Sequence, residues 1–177
     1  MAKGFFTQGV SLLTNGKTTI ENVKSALLQY GFDIVKETPA QENWAFGSTT
    51  LTLPFLPEVN GYAALDVVNQ PWPDTMGDPK CDSITFAAWS MGHFGPLAYP
   101  GSMTRARQHA WSWQPGQTIS EGHGGFIRIR ISYVFGANEG ATIFPANYDP
   151  VEEMMFLSRT VLALFKVPGV ICYFNPN

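Results

Sequence analysis

The sequence predicts an α+β fold: an elaborated split β-α-β sandwich with a mixed or antiparallel sheet, two main helices on one face and a loop-rich insertion. The prediction rests on a strand–helix–strand pattern near each end of the chain and on a middle rich in turn residues. A chain of 177 residues fits one hydrophobic core, no low-complexity tract appears, and the loop 69–80 is too short to be an interdomain linker. We therefore expect residues 1–177 to form a single α+β domain.

The first half of the chain begins with a predicted strand, Phe5–Leu13, which ends at the turn pair Asn15-Gly16. The capping-box spacing of Thr18 and Glu21 then predicts a helix over 18–30. Short strands are predicted to follow over 32–36, in a hairpin of 44–46 with 49–53, and over 62–68.

The middle of the chain carries most of the turn residues. Three prolines and a glycine between Asn69 and Lys80 predict a structured loop without helix or strand. The next apolar run, Ile84–Trp89, fits a short strand or the start of a helix, and its pattern leaves both open. Ser102 is then predicted to cap a helix that ends before Pro115.

The second half contains the clearest strand, Phe126–Phe135, in which apolar residues alternate and one face is expected to join the core. The opposite face carries Arg128 and Arg130, and we expect it to be wet or functional. Asp149 as N-cap predicts a last helix that runs to about Lys166. The final predicted strand, Val170–Phe174, is short and apolar enough for a buried sheet position.

Charge is scarce in this sequence: 14% of the residues are charged, and the net charge is −3. Nucleic acids and acidic membranes usually bind clearly basic domains, so neither partner is expected. The N-terminal residues lack the continuous apolar stretch of a signal peptide, and no apolar run reaches about 18 residues. The two cysteines, Cys81 and Cys172, show no pair spacing. These features predict a cytoplasmic protein without a disulfide framework.

One short segment is similar to a catalytic motif. Ser90 lies in Ala-Trp-Ser-Met-Gly, which resembles the nucleophile elbow of small lipases. A serine triad on that fold needs an acid and then a histidine further along the chain, but no histidine follows the candidate acid Asp149. The order fails, and we predict no catalytic residues.

Candidate metal ligands are also present. They are His93, His109, His123, Asp74, Asp78 and Asp82. Their spacing matches neither the close histidine or cysteine pairs of zinc sites nor the alternating oxygen ligands of calcium loops. No glycine-rich phosphate loop occurs either. We therefore predict no metal site and no cofactor.

Two groups of side chains remain as binding candidates. Guanidinium groups bind carboxylates or phosphates, so the first group combines the strand arginines with two histidines: Arg128, Arg130, His109 and His123. Tryptophans are frequent interface anchors, so the second group is a candidate partner surface: Trp72, Trp89, Trp111 and Trp113. The alternatives stay open, because arginines on an open strand face can serve solubility and tryptophans can fill a core.

Two segments carry a resemblance to a known family. They are 123–136, His-Gly-Gly-Phe-Ile-Arg-Ile-Arg-Ile-Ser-Tyr-Val-Phe-Gly, and 149–174, from Asp-Pro-Val-Glu-Glu to Val-Ile-Cys-Tyr-Phe. Together with the tryptophan-rich helix and the opening strand and helix, they are similar to the bacterial family called domain of unknown function 4261. The resemblance implies a bacterial cytoplasmic α+β domain and brings no catalytic residues.

These observations favour a non-enzymatic protein-binding or accessory module, immunity-like or secretion-associated, that recognises a protein through the 69–101 loops and the tryptophan helix. The alternative is a small-ligand-binding protein or enzyme that uses the arginine and histidine group. The stretch 81–99 holds a single charged residue, Asp82. Surfaces so poor in charge predict self-association or complex formation.

Overall fold

The computed structural model describes residues 4–40, 48–134 and 141–176. Its strands are β1 (Gln8–Thr14), β2 (Lys36–Thr38), β3 (Thr49–Leu56), β4 (Gly61–Val68), β5 (Gly125–Ser132) and β6 (Val170–Phe174). Its helices are α1 (Ile20–Gln29), α2 (Ser83–Ser90), α3 (Ser102–His109), α4 (Gln114–Thr118) and α5 (Pro150–Leu164), with a short 3-10 turn at Pro57–Val59. The α+β fold is confirmed.

The six strands form one sheet in the order β2-β3-β4-β5-β1-β6, and every neighbouring pair is antiparallel. Since β5 and β6 both pair with β1, they run parallel to each other with β1 between them. α5 connects these two strands, so the second half is a split β-α-β unit. α1 and α5 contact each other and pack on the same face, as predicted.

The core beneath the two helices is built from the alternating residues of the strands. Ile127, Ile129 and Ile131 of β5 point into it and are fully buried. α1 contributes Val23 and Leu27, and α5 contributes Leu157, Val161 and Leu164. The apolar residues that alternate along β5 and those that recur at helical spacing along α5 therefore pack into one apolar layer, as both patterns predict.

The opposite face of the sheet is covered as well. The segment between β4 and β5 folds back over it, and Trp72 lies at the centre of the second core. The Trp72 ring makes edge contacts with the rings of Phe94, Phe126 and Phe174 at centroid distances of 5.1, 5.1 and 4.9 Å. β5 is consequently buried along its whole length. Its Arg128 face was expected to be wet or functional, and the first of these alternatives was wrong, because the insertion covers this face as a third layer.

Helix boundaries differ from prediction at the caps. Thr19, not Thr18, caps α1 and accepts a hydrogen bond from the Asn22 amide, while the buried Thr18 hydroxyl donates to the carbonyl of Pro168. The ambiguous run 84–89 is helical, within α2, and Asp82 caps it through the Thr85 amide. The sequence therefore showed that Thr18 could cap a helix, but it did not show that Thr18 binds the carbonyl of Pro168 instead.

α3 obtains its cap from a distant loop. Ser102 is the first helical residue, and the Asp74 carboxylate accepts from the amides of Met103 and Thr104 at 2.7 and 2.9 Å. α3 ends at His109, and Pro115 lies inside α4 rather than beyond a single longer helix. Proline is tolerated there because it occupies the first turn, where its missing N–H has no helical acceptor.

Two strands also differ from prediction. The second strand is β2 at Lys36–Thr38 rather than 32–36, and the hairpin strand expected at 44–46 lies outside the described residues. β6 has the predicted bounds, but it is the edge strand of the sheet rather than a buried one. An apolar strand pattern does not distinguish an edge position from a central position.

None of the helices in the described part of the chain is long and apolar enough to cross a bilayer.

Coverage of both sheet faces can be tested by truncating the side chain of Phe126, a fully buried residue of the second core. We expect Phe126→Ala to lower the free energy of unfolding in urea by about 3–5 kcal/mol. Leu28→Ala, at an exposed position of α1, is the control and should change it by less than about 0.5 kcal/mol. Equal small effects for both variants would show that the second face is open to water.

Candidate functional site

The two strand arginines converge on one carboxylate. Arg128 Nε and Arg130 Nη2 donate to the same oxygen, Oδ2 of Asp66, at 2.9 and 2.7 Å. The Thr50 hydroxyl donates to the other oxygen, Oδ1, at 2.6 Å. All three charged groups are at least nine-tenths buried, so the cluster is a desolvated Arg–Asp–Arg triad.

Strand register and aromatic rings hold this triad in place. Asp66 of β4 lies directly opposite Arg128 of β5, and Arg130 follows on the same face of that strand. The Arg130 guanidinium lies 4.0 Å from the centroid of the Phe6 ring, and that of Arg128 lies 5.7 Å from the centroid of the Phe94 ring. Aromatic faces attract cations, so these rings close the triad while partly replacing its lost hydration.

The electrostatics of the triad follow from its burial. Burial alone would raise the pKa of Asp66, but the charges of Arg130 and Arg128 and the Thr50 hydroxyl hold it well below its usual range. Burial and the nearby Arg128 lower the pKa of Arg130 to about 9, against the opposing effect of Asp66, so its guanidinium is charged at neutral pH. Burial, then Arg130 and Arg128, lower the pKa of His93 to about 4, so this histidine is neutral.

The triad therefore carries two positive charges and one negative charge. Its geometry suits a structural role rather than turnover, because the guanidinium groups are inaccessible and occupied by Asp66, by the His93 carbonyl and by aromatic rings. Arg128 Nη1 and Arg130 Nε make no hydrogen bond within the described residues. The arginines are brought together as predicted, but they do not line an open pocket with His109 and His123.

The two predicted histidines lie elsewhere. His123 accepts from the Trp72 backbone amide through Nε2 at 2.9 Å, and its Nδ1 lies 2.5 Å from the Ser120 carbonyl. Nε2 is thus the acceptor and Nδ1 faces a carbonyl acceptor, and these contacts connect the segment before β5 to the insertion. His109 is exposed at the end of α3. Neither histidine contributes to the triad.

The four tryptophans divide into two pairs. Trp72 and Trp89 are 4% and 1% exposed and belong to the second core, which corrects their assignment to a partner surface. Trp111 and Trp113 are 79% and 52% exposed. They lie in the connection between α3 and α4, and we call this pair the tryptophan surface. The sequence pattern around the four tryptophans could not show which of them are buried, because their burial depends on how the insertion folds over the sheet.

Two arginines of α3 bind the segments around the tryptophan surface. Arg105 donates to the carbonyls of Pro100 and Tyr99 at 2.8 and 3.1 Å. Arg107 donates to the Gln117 carbonyl at 2.7 Å and forms an ion pair with Glu121, which joins α3 to α4. The Glu121 carboxylate balances the charge of Arg107, whereas Arg105 donates to neutral carbonyls and keeps its positive charge.

The ring of Trp113 packs closely against Gly116 of α4. A Cβ placed on Gly116 would lie 2.4 Å from Trp113 Cε3 and 2.9 Å from the Ala110 side chain. The indole therefore packs against the backbone of α4, while about half of the residue remains exposed. A tryptophan that is positioned before binding loses little conformational entropy when a partner covers it.

The acidic residues of the insertion have structural partners. Asp74 caps α3, Asp82 caps α2, and the Asp78 carboxylate accepts from the Lys80 amide. Within the described residues, no group of three or more histidine, cysteine, aspartate or glutamate side chains could hold a metal ion.

Two buried acids were missed in the sequence. Asp66 could have been found, because an acid within the apolar run of β4 needs a cation and β5 offers two. Glu153 of α5 is fully buried; the Thr7 hydroxyl donates to it, and the phenols of Tyr133 and Tyr148 lie beside it. Burial raises the pKa of Glu153 despite these hydroxyls. No local sequence signal distinguished it from the neighbouring exposed Glu152.

Comparisons with known proteins give no further assignment: no family model, no curated protein and no solved structure matches this chain.

The triad makes stability dependent on pH in a defined direction. The pKa of Asp66 is lower in the fold than the roughly 3.9 of an unfolded chain, so its stabilisation is present above about pH 5 and is lost as the pH falls below about 4. We expect Asp66→Asn to lower the free energy of unfolding at pH 7 by about 3–5 kcal/mol, because two buried guanidinium groups lose their anion.

The control is Asp78→Asn, because Asp78 is exposed and asparagine keeps the oxygen that accepts from Lys80. It should change the free energy of unfolding by less than about 0.5 kcal/mol. Urea titrations between about pH 3 and pH 7 should also show a shallower loss of stability for Asp66→Asn than for the wild type. If the free energy of unfolding of Asp66→Asn depended on pH in the same way as that of the wild type, the ion pairing of Asp66 with the two arginines would be contradicted.

Proposed function

We propose that this protein is a non-enzymatic binding or accessory module that recognises a protein partner through the tryptophan surface. The observation that carries the proposal is Trp111, whose side chain is 79% exposed beside the half-exposed Trp113. Soluble proteins rarely leave indoles so open, and tryptophan is the residue most enriched among the side chains that dominate protein–protein binding.

The chemistry of this surface indicates the kind of partner. Arg105 and Arg107 are occupied within the protein, and the neighbouring Gln114 and Gln117 are exposed and uncharged. Two indoles flanked by amides suit an uncharged, partly apolar protein segment rather than a phosphate or a nucleic acid. An immunity-like or secretion-associated role in the bacterial cytoplasm is part of the same proposal.

Membership of the domain of unknown function 4261 family is likewise proposed, on the two segments quoted above. It adds no site residue. The small-ligand alternative loses support, since Arg128 and Arg130 are buried against Asp66 and the two histidines lie apart from them.

The test compares co-purification from the native host of wild-type protein with Trp111→Ala and Trp113→Ala. We expect a partner to be retained in near-stoichiometric amount by the wild type and to be reduced at least tenfold by Trp111→Ala, since loss of an anchor costs about 2 kcal/mol or more. Chemical cross-linking should place that partner on the segment 109–118.

The matched control is Tyr30→Ala, an exposed aromatic residue at the end of α1, which should retain the partner at the wild-type level. Recovery of the wild type without any partner, or equal recovery of a partner by all variants, would reject the tryptophan surface as the binding site.

A further inference from the structure

We propose that two copies of this chain form a two-fold symmetric dimer through the β6 edge, in which the β6 strands pair antiparallel and the exposed apolar stripes of α5 pack together. The apolar stripe is the row Val151, Met155, Leu162 and Phe165 of α5, extended by Tyr173 of β6. This surface is separate from the tryptophan surface, and the inference goes beyond the proposed function.

The first observation is the unprotected strand edge. β6 lies at the end of the sheet, and in the described residues its outer edge pairs with no strand. Its sequence, Val-Ile-Cys-Tyr-Phe, has no charge and no proline, and the β-bulge lies at its pairing with β1 near Leu13 and Thr14. Monomeric proteins usually protect such edges with lysine, proline or a covering loop, because free backbone groups recruit another strand.

The second observation is the apolar stripe beside that edge. Its five side chains are between 42% and 64% exposed. One flank of α5 faces α1, where Phe156 and Arg159 contact Phe32. On the other flank, Leu162 and Ser158 line a groove of about 240 Å³ together with Tyr173. The stripe is therefore continuous with the β6 edge, and backbone pairing and apolar burial are available at one place.

Symmetry explains why the occupant is a second copy. A lone extended peptide could pair with β6 but would leave the α5 stripe exposed, whereas the same edge of another copy presents both a strand and a helix. A two-fold axis perpendicular to the sheet continues the antiparallel pattern and keeps both α5 helices on the same face. It also sets the two helices antiparallel, so Glu152 at the start of one lies toward Lys166 beyond the end of the other.

The available area is adequate for a specific dimer. At about 150–250 Å² for each large side chain, the exposed fractions of the five stripe residues amount to roughly 500 Å² per copy. The strand backbone and the groove walls add to this value. The total approaches the roughly 800 Å² that each partner buries in an interface of standard size.

The experiment is sedimentation of the purified full chain over a range of concentrations up to roughly 100 μM, where even a weak interface is populated. We expect the wild type to be a dimer at the upper concentrations. Leu162→Glu and Tyr173→Lys, which place charges in the interface, should each weaken dimerisation at least tenfold and give monomers. Circular dichroism should show that both variants remain folded, since both side chains are about half exposed.

The matched control is Leu28→Glu, which places the same charge at an equally exposed leucine of α1, and it should remain dimeric. Hydrogen exchange on the wild type gives a test without substitution: the amides of Val170–Phe174 should become more protected as concentration rises. A wild type that is monomeric throughout, a dimer unaffected by Leu162→Glu and Tyr173→Lys, or equal loss of dimer in Leu28→Glu would overturn the proposal. Trp111→Ala should leave the dimer intact. Failure of the dimer proposal can therefore be distinguished from failure of the proposed partner binding at the tryptophan surface.

Discussion

A single carboxylate, Asp66, pairs with two guanidinium groups in the interior of this protein, and much of the fold depends on that contact. A slip of one residue between β4 and β5 would turn Asp66 to the opposite face from Arg128 and Arg130 and leave three charges buried without partners. The triad therefore specifies the register at the centre of the sheet. A buried ion pair of this kind adds little net stability over an apolar substitute, but breaking it is costly, so its main effect is specificity.

The triad also requires a third layer. Charges on an open sheet face would be hydrated, whereas here the insertion places Phe94 and the His93 carbonyl over the arginines, and Phe6 covers them from the N-terminal side. The 69–80 loop anchors that layer at two points: Trp72 binds His123 through its amide and fills the second core with its ring, and Asp74 caps α3. Because Trp111 and Trp113 follow α3 directly, the contact between Asp74 and α3 also positions the tryptophan surface.

The low charge of the chain has two structural consequences. Part of the poorly charged stretch 81–99 is internal, since Ala88, Trp89, Phe94 and Ala98 are buried in the second core. Outside that stretch, poorly charged residues form two exposed surfaces. The tryptophan surface presents rings beside uncharged amides, whereas the α5 and β6 surface combines apolar side chains with a strand edge that pairs with no other strand among the described residues. This difference in chemistry is the reason for proposing a partner protein at the first surface and a second copy at the second.

The sequence by itself determined the class of fold, the end of β4, the bounds of β6, the start of α5 and the inward face of β5, because these follow from local periodicity and capping. Only the tertiary structure decided which tryptophans are buried, that Asp74 caps α3, that β6 is an edge, and that the arginine face of β5 is covered. Each of these depends on contacts between residues far apart in the chain, where the entropy of loop closure and the desolvation of charges are balanced by packing that no local pattern encodes.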